Sequence, residues 1–330
     1  MTNGWTVVLN GTNLIGGDDA PSGIAPATVM GCLQVPPDGL GVPGLRVEDV
    51  IYPQRDGAKH FNDWYEPRIV TLADVMVCPA DCPKCPSARA KTQALSMAWS
   101  RYCDDTELVI FTDCHDPDSS VTGTDRALIG PYGIIGRPRV ASKQWLQGKT
   151  GCASMLFRFD AVDHRMYVLD PSGEPGSGEQ CVELTPAINA SCRTYPRCYD
   201  SICSPGVSGM SYTESSAVTG TGPQTTDNYG TLCAQPTIVL TGSLTSPTVT
   251  NDTTGQSVTY TGIINAGDTI TIDTDTGIAT DQDGIPRSYL LTGDTRLFLD
   301  VGENTIRLSS LGAADTGTAS VCYRPSVLEG

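Results

Sequence analysis

Apolar and polar residues alternate through most of this chain in short runs, the period-two signature of half-buried strands. In the first half, "WTVVL" (5–9), "LRVEDVIYP", "EPRIVTLADVMV" and "ELVIFTD" follow it, and "ASMLFRFDA" and "RMYVLD" read as a hairpin turning over Val162, Asp163 and His164. One segment changes period: "PSARAKTQALSMAWSRY" places Leu95, Ala98, Trp99 and Tyr102 on one helical face, with Ser87 positioned to cap the start. A helix with such a face packs on a sheet.

The pattern fades after residue 170. "PSGEPGSGEQ" is linker-like, and the Ser/Thr/Gly/Cys-rich sequence that follows to about residue 233 shows no clear periodicity. It returns strongly over 236–325, where "PTIVLTG", "SPTVTN", "QSVTYTG", "DTITID", "RSYLLTG", "TRLFLD", "NTIRLSS" and "ASVCYRP" are separated by turns such as "NDTTG" and "NAGD". Short Thr/Val/Ile runs at this spacing predict an antiparallel β-sandwich. The expected organisation is a β-rich domain with one helix over 1–170, a Cys-rich irregular linker or insertion over 171–235, and a sandwich over 236–330.

Composition narrows the function. Of 330 residues, 35 are Gly, 23 are Pro and 18% are charged, which suits strands and turns and does not suit helical bundles. The net charge of −16, with no Lys/Arg-rich patch, argues against nucleic-acid binding, which needs clustered cations. Residues 171–330 carry 17 acidic side chains against 6 arginines and no lysine, a balance that favours solubility. The opening "MTNGWTVVLNGT" lacks a cationic stretch followed by an apolar one, so no signal peptide is expected, and no run is apolar enough for membrane insertion. Synthesis in a cytoplasm then conflicts with the 13 cysteines. Release inside a particle, or thiols holding metal, removes that conflict.

Candidate chemistry is sparse. "IINAGDTITIDTDTG" gathers Asp268, Asp273 and Asp275, but Thr276 stands where a calcium loop needs its third acid, so the stretch reads as a strand and its turn. The three histidines lie in no hydrolase motif, and Cys114 and His115 in "FTDCHDPD", as neighbours on an extended chain, point apart. No catalytic residues and no required cofactor are expected. "CPADCPKCP" places Cys78, Cys82 and Cys85 where they could bind a structural zinc, form disulfides or stay free thiols. Cys181, Cys192, Cys198 and Cys203 lack tight spacing and are disulfide candidates. In "HFNDWYEPRI", Trp64 and Tyr65 could stack on a sugar, but packing or a subunit contact is the more frequent use. Trp64 and Arg68 are the interface candidates, because Trp and Arg concentrate at interface centres.

Taken in order, "GWTVVLNG", "DGLGVPGLRVEDVIYPQRDG", "DWYEPRIVTL", "CPADCPKCPSARAKTQALSMAWSR", "IGPYGIIGRPR", "FRFDAVDHRMYVLD", "DNYGTLCAQPTIVLTG" and "GENTIRL" resemble the distal tail proteins of long, flexible-tailed phages, in the minor tail protein form of phages of actinobacteria. The resemblance covers most of the chain. It implies a β-rich belt domain that joins head to tail into a hexameric ring, followed by a galectin-like sandwich that projects outward. The implied partners are other copies of the chain, the tail tube, and tail-tip or tail-fibre proteins. The implied location is the distal tail of the virion, after assembly in the host cytoplasm. The cysteine-laden middle segment departs from the direct connection of small members. Residues 236–330 contain no tryptophan, so the resemblance alone does not carry carbohydrate binding to this sandwich.

Overall fold

The computed structural model describes residues 5–9, 12–15, 32–33, 35–46, 49–51, 58–60, 64–77, 86–100, 104–112, 123–146, 152–186, 222–312 and 315–329. They form two compact units that interleave along the chain. The first comprises Met1–Gln180, Asp227–Ala234 and Arg324–Gly330, and the second Cys181–Thr226 and Gln235–Tyr323. The chain thus leaves its first unit after Gln180 and returns to it twice, at Asp227–Ala234 and at Arg324–Gly330.

The first unit opens with β1 (Thr6–Leu9), β2 (Thr12–Ile15), β3 (Cys32–Leu33), β4 (Leu45–Arg46), β5 (Asp49–Ile51), β6 (Ala58–His60), β7 (Trp64–Tyr65) and β8 (Ile69–Val77). Then come α1 (Pro86–Ser100), β9 (Thr106–Phe111), α2 (Gly123–Ile129), β10 (Tyr132–Trp145), β11 (Ala153–Ala161) and β12 (Met166–Val168). The main sheet has the order β2-β1-β9-β10-β11-β8-β3. β10 is its spine. Tyr132 to Gly136 pair with β9, and Gly136 to Trp145 pair with β11.

The core follows from the alternation. In β8, Val70 and Leu72 are buried, and then Val75 and Val77. The phase slips by one because the β8–β11 register shifts there, with Asp74 at a φ of 52° on the bulged side. α1 lies over this sheet, and Thr92, Leu95 and Trp99 are the residues it buries. The Trp99 ring sits 4.9 Å from Phe157 and 6.3 Å from Phe159. The predicted helical face is therefore the one that packs, with Ala98 beside it; Tyr102 and the Ser87 side chain lie outside the described residues.

The predicted hairpin at 162–164 is not one. β11 and β12 both run antiparallel to β10, Ala161 opposite Gly136 and then Tyr167 opposite Gly133, so they are two parts of one strand line. Between them residues 162–165 loop out. Val162 donates its N–H to Ile135, and the Asp163 carboxylate accepts from the Arg165 N–H. The polar run Asp163, His164, Arg165 interrupts the strand without reversing it.

The second unit contains β13 (Gln180–Leu184) from Cys181 on, β14 (Gln224–Asn228) as far as Thr226, β15 (Thr237–Thr241), β16 (Leu244–Thr245), β17 (Thr248–Asn251) and β18 (Gln256–Tyr260). β19 (Ile263–Ile264), β20 (Thr269–Asp273), β21 (Ile278–Asp281), β22 (Leu291–Gly293), β23 (Gly302–Ser309) and β24 (Thr318–Tyr323) complete it, and β25 (Ser326–Val327) returns to the first unit. Two five-stranded sheets result, β13-β24-β15-β20-β21 and β14-β23-β17-β18-β22. Each buries alternate residues on one face, such as Ile238, Leu240, Ile270 and Ile272 in the first and Val249, Val258, Ile306 and Leu308 in the second. That is the sandwich arrangement the pattern predicted.

Two departures are informative. β13 and β14 come from the segment expected to be irregular. Each buries a single side chain fully, Leu184 and Asn228 respectively, too little alternation to announce a strand. "TRLFLD" is not a strand, although Leu297 and Leu299 are fully buried. The Asn251 side chain donates to the Phe298 carbonyl, and the Asn304 side chain donates to those of Asp300 and Gly302. Side chains thus bind carbonyls that a neighbouring strand would otherwise use. The acidic stretch at 263–277 is a strand and a turn, as expected. Asp273 accepts from the Asp275 N–H and the Thr276 hydroxyl, and Gly277 closes the turn at a φ of 73°.

Candidate assembly surface

In the first unit Arg68, in the link between β7 and β8 and with 2% of its surface exposed, is a heavily bonded side chain. Its Nη1 donates to the carbonyls of Gly39 and Gly41, the latter at 2.7 Å, and its Nη2 to those of His164 and Leu328, the former at 3.1 Å. Its own N–H donates to Asp163, and its carbonyl accepts from Ala161. One guanidinium thus gathers the loop before β4, the loop between β11 and β12, and the C-terminal segment. Burial lowers its pKa from the ordinary arginine value, with the Asp163 charge acting the other way. The sequence reading placed Arg68 at a subunit interface. Its side chain is instead an internal tie, because four carbonyls converge there and only a planar five-donor fork can serve them together.

A second arginine anchors the same segment. Arg324 forms an ion pair with Glu107 of β9, the two side chains 17% and 10% exposed, and its guanidinium lies 4.6 Å above the Tyr167 ring. The other Glu107 oxygen accepts from the Gly176 N–H. Between the two arginines, β25 pairs with β12, Met166 opposite Val327, and the Thr231 and Leu232 N–H groups donate to the Ser326 carbonyl. Ser326 and Val327 are each 1% exposed, so the C-terminal segment is part of this unit's core. Neither Arg324 nor Glu107 stood out in the sequence, since no local motif marks a pair 217 residues apart.

Around Arg68 the outer surface is mixed. A groove of about 520 Å³ is lined by Arg46, Tyr65, Ile69, Arg158 and Asp160 among others. Leu45 faces Tyr65 across the β4–β7 pair, and Leu45, Tyr65 and Ile69 are 50%, 39% and 47% exposed. Tyr65 stacks on His164 at 5.1 Å. Burial is the main cause holding His164 below its ordinary pKa. Asp160 lies between Arg158 at 2.6 Å and Arg139 at 3.4 Å, exposed pairs worth little to stability. Trp64 lies in β7, its backbone paired with Arg46.

The third feature is the far half of β10. Its pairing with β9 stops at Gly136, while its pairing with β11 continues to Trp145. Among the described residues, no strand pairs with the other edge of residues 137–145. Arg137, Arg139 and residues 141–145 are all exposed. Arg89 of α1 lies 5.8 Å over the Trp145 ring, at the tip of this projecting pair of strands.

Of the predicted cysteine sites, Cys78, Cys82, Cys85, Cys192, Cys198 and Cys203 lie outside the described residues. Cys181 is bonded to Cys322, 141 residues on, and not within its predicted cluster. The partner was not legible because Cys322 is a lone cysteine inside a strand that the sequence reading assigned to another domain.

Comparison with known proteins adds the following. Residues 229–326 match the sequence model of the siphovirus-type tail component, C-terminal domain. Among solved structures the chain is similar to the SPP1 Dit (gp 19.1) protein, described as a paradigm of the hub adsorption apparatus in phages infecting Gram-positive bacteria. The two are 12% identical, with a TM-score of 0.57 over 97% of this chain and 98% of that one. Two structures of the phage P2 baseplate in its activated conformation, with Ca and with Sr, are each 12% identical over 87% of this chain and 88% of theirs, with TM-scores of 0.35 and 0.36. No curated protein sequence matches this chain. At such identity the likeness to SPP1 Dit is one of fold, mostly β and built of antiparallel sheets. Among the described residues, no helix is long and apolar enough to cross a membrane.

Proposed function

We propose that this chain is a structural virion protein. It is the distal tail hub subunit of a long-tailed phage, and it closes into a homo-hexameric ring joining the tail tube to tail-tip or tail-fibre proteins. The observation that supports this most is the sequence match over 229–326, because such a match reads residue identities where a fold comparison reads only backbone. That span includes most of the first return segment, the start of the second, and the second unit's strands from β15 onward.

The geometry gives the ring a means of closing. Along residues 141–145 the edge of β10 that no described strand covers offers backbone donors and acceptors to a neighbouring copy. A head-to-tail contact that uses two different patches closes into a ring when its rotation closes. In this reading the first unit is the belt and the second the galectin-like sandwich. The role is assembly and not turnover, and a host among the actinobacteria follows from the same resemblance.

Light scattering followed by negative-stain imaging tests it. A six-fold ring with a central channel is expected, either for the chain alone or after mixing with the neighbouring tail proteins. A strict monomer in both conditions sinks the proposal. If that monomer were retained on host cell-wall glycans, a carbohydrate-binding module would replace it.

A further inference from the structure

The Cys181–Cys322 disulfide occupies an unusual place. Cys181 is the first residue of the second unit and Cys322 the last but one, so the bond joins the two ends of that unit across 141 residues. It does so between adjacent strands, β13 at the edge of its sheet and β24 next to it. Cys181 is exposed and Cys322 half-buried, so small reagents reach the sulfurs.

Beyond its backbone pairing with β24, β13 has little else to hold it. Of its five residues only Leu184 is buried, and Cys181 and Glu183 face solvent. β24 is different: Ala319, Val321 and Tyr323 are buried, and its ladder with β15 runs unbroken from Thr318 to Cys322. A short strand with one buried side chain keeps its place weakly by burial alone, whereas a cross-link to a well-packed neighbour keeps it there at no further cost in ordering.

We propose that this disulfide is a redox-operated clasp on the edge of the sheet. Closed, it keeps β13 over the outer edge of β24. Opened by a small dithiol, it lets β13 leave while β24, β15, β20 and β21 stay folded, and the β24 edge then presents unpaired backbone groups. Opening is thiol–disulfide exchange. A reductant thiolate attacks one sulfur and releases the other cysteine as thiolate, and the reductant's second thiolate then displaces the first cysteine and becomes a disulfide itself. Closing runs the same two exchanges backwards against a small-molecule disulfide, which takes the two electrons and, as its two released thiols, the two cysteine protons. A chain made in a reducing compartment and carried out of it would pass from the open to the closed state once.

Hydrogen exchange of the full-length protein, with and without dithiothreitol, tests the clasp, with mass spectrometry of alkylated thiols confirming reduction. On reduction, peptides over Gln180–Leu184 are expected to lose protection by about tenfold or more, while those over Thr237–Thr241 and Thr269–Asp273 keep theirs. Cys181→Ser should give the open pattern without reductant. Three results overturn the proposal: a bond that native-state dithiothreitol leaves intact, unchanged protection over Gln180–Leu184 after confirmed reduction, or loss of protection across the whole sheet. The reductant titration on the unaltered chain decides the matter even where the serine variant fails to fold.

Discussion

Arg68 shows how much one side chain can organise when its donors are matched to fixed acceptors. Replacing it with Lys keeps the charge but not the fork, and a single ammonium cannot reach the half-buried carbonyls of Gly39, His164 and Leu328 and the exposed one of Gly41 together. Arg68→Lys is expected to lower stability by about 3 kcal/mol, read from the urea midpoint, since an orphaned acceptor costs roughly 1–3 kcal/mol when buried and less when half-buried. Gly39 beside it is equally constrained. Its φ is +90°, and a Cβ there would lie 1.9 Å from the Ile69 carbonyl oxygen. Gly39→Ala should therefore cost about as much as Arg68→Lys, on the order of 3 kcal/mol, through overpacking and backbone strain together. Tyr132 supplies a pH test. Burial pushes its phenol up to about 12, and its hydroxyl donates to the Ala127 carbonyl at 2.9 Å. A raised folded-state pKa means that the contribution is complete below the unfolded value near 10 and is lost as pH rises from there through about 12. Unfolding midpoints measured across that window should fall more steeply for the parent than for Tyr132→Phe. At this scale the sequence was a poor guide. Arg68 was legible as a residue of consequence, but its inward turn depends on acceptors 27 to 260 residues away, which no local pattern encodes.

At the scale of elements, what was legible followed burial. β8, β11 and most strands from β15 to β24 announce themselves because alternate side chains enter a core, β9 because residues 108–111 are buried on both faces, and α1 through Leu95 and Trp99. β13 and β14 did not, because edge strands with one fully buried residue each carry almost no alternation. The hairpin expected over 162–164 failed for a related reason. A polar loop between two apolar runs is the same string whether the chain reverses or only bulges out, and long-range pairing with β10 decides which. β25 is the clearest case of an element whose role exceeds its length. Removing Arg324–Gly330 takes away the Val327 side chain, the Arg324–Glu107 pair and the Arg68 acceptor at Leu328. Truncation after Tyr323 should therefore unfold or loosen the first unit, with loss of exchange protection over Met166–Val168. Peptides over Thr248–Asn251 and Gln256–Tyr260 of the second unit should keep theirs. Equal loss in both would mean that the C-terminal segment supports the whole chain and not one unit.

At the scale of the molecule, assembly depends on whether copies meet at the edge of β10 that no described strand covers. Along residues 141–145 backbone N–H groups point alternately toward β11 and away from it, so of two neighbours such as Ala141 and Ser142 one N–H serves the ladder and the other faces the outer edge. Proline removes an N–H without adding charge and is tolerated on edges only where that group is unpaired. Ala141→Pro and Ser142→Pro are therefore expected to separate. The one that deletes the ladder-side N–H should lower the melting temperature. The one that deletes the outward N–H should leave melting nearly unchanged yet abolish ring formation in light scattering. If the outward proline still assembled, strand addition at this edge would be excluded. The exposed apolar trio Leu45, Tyr65 and Ile69, beside Arg158, would then be the contact to test. The chain's acidity sharpens the same choice. A molecule with a net charge of −16 repels its own copies, so a ring must join them through surfaces where that charge is locally offset, and the arginines at 137, 139 and 158 lie on β10 and β11. Edge pairing flanked by those arginines would tighten as salt screens the repulsion, whereas a contact made mainly by the arginines would loosen. Ring mass measured against ionic strength distinguishes the two, and the edge reading requires assembly to persist as salt rises.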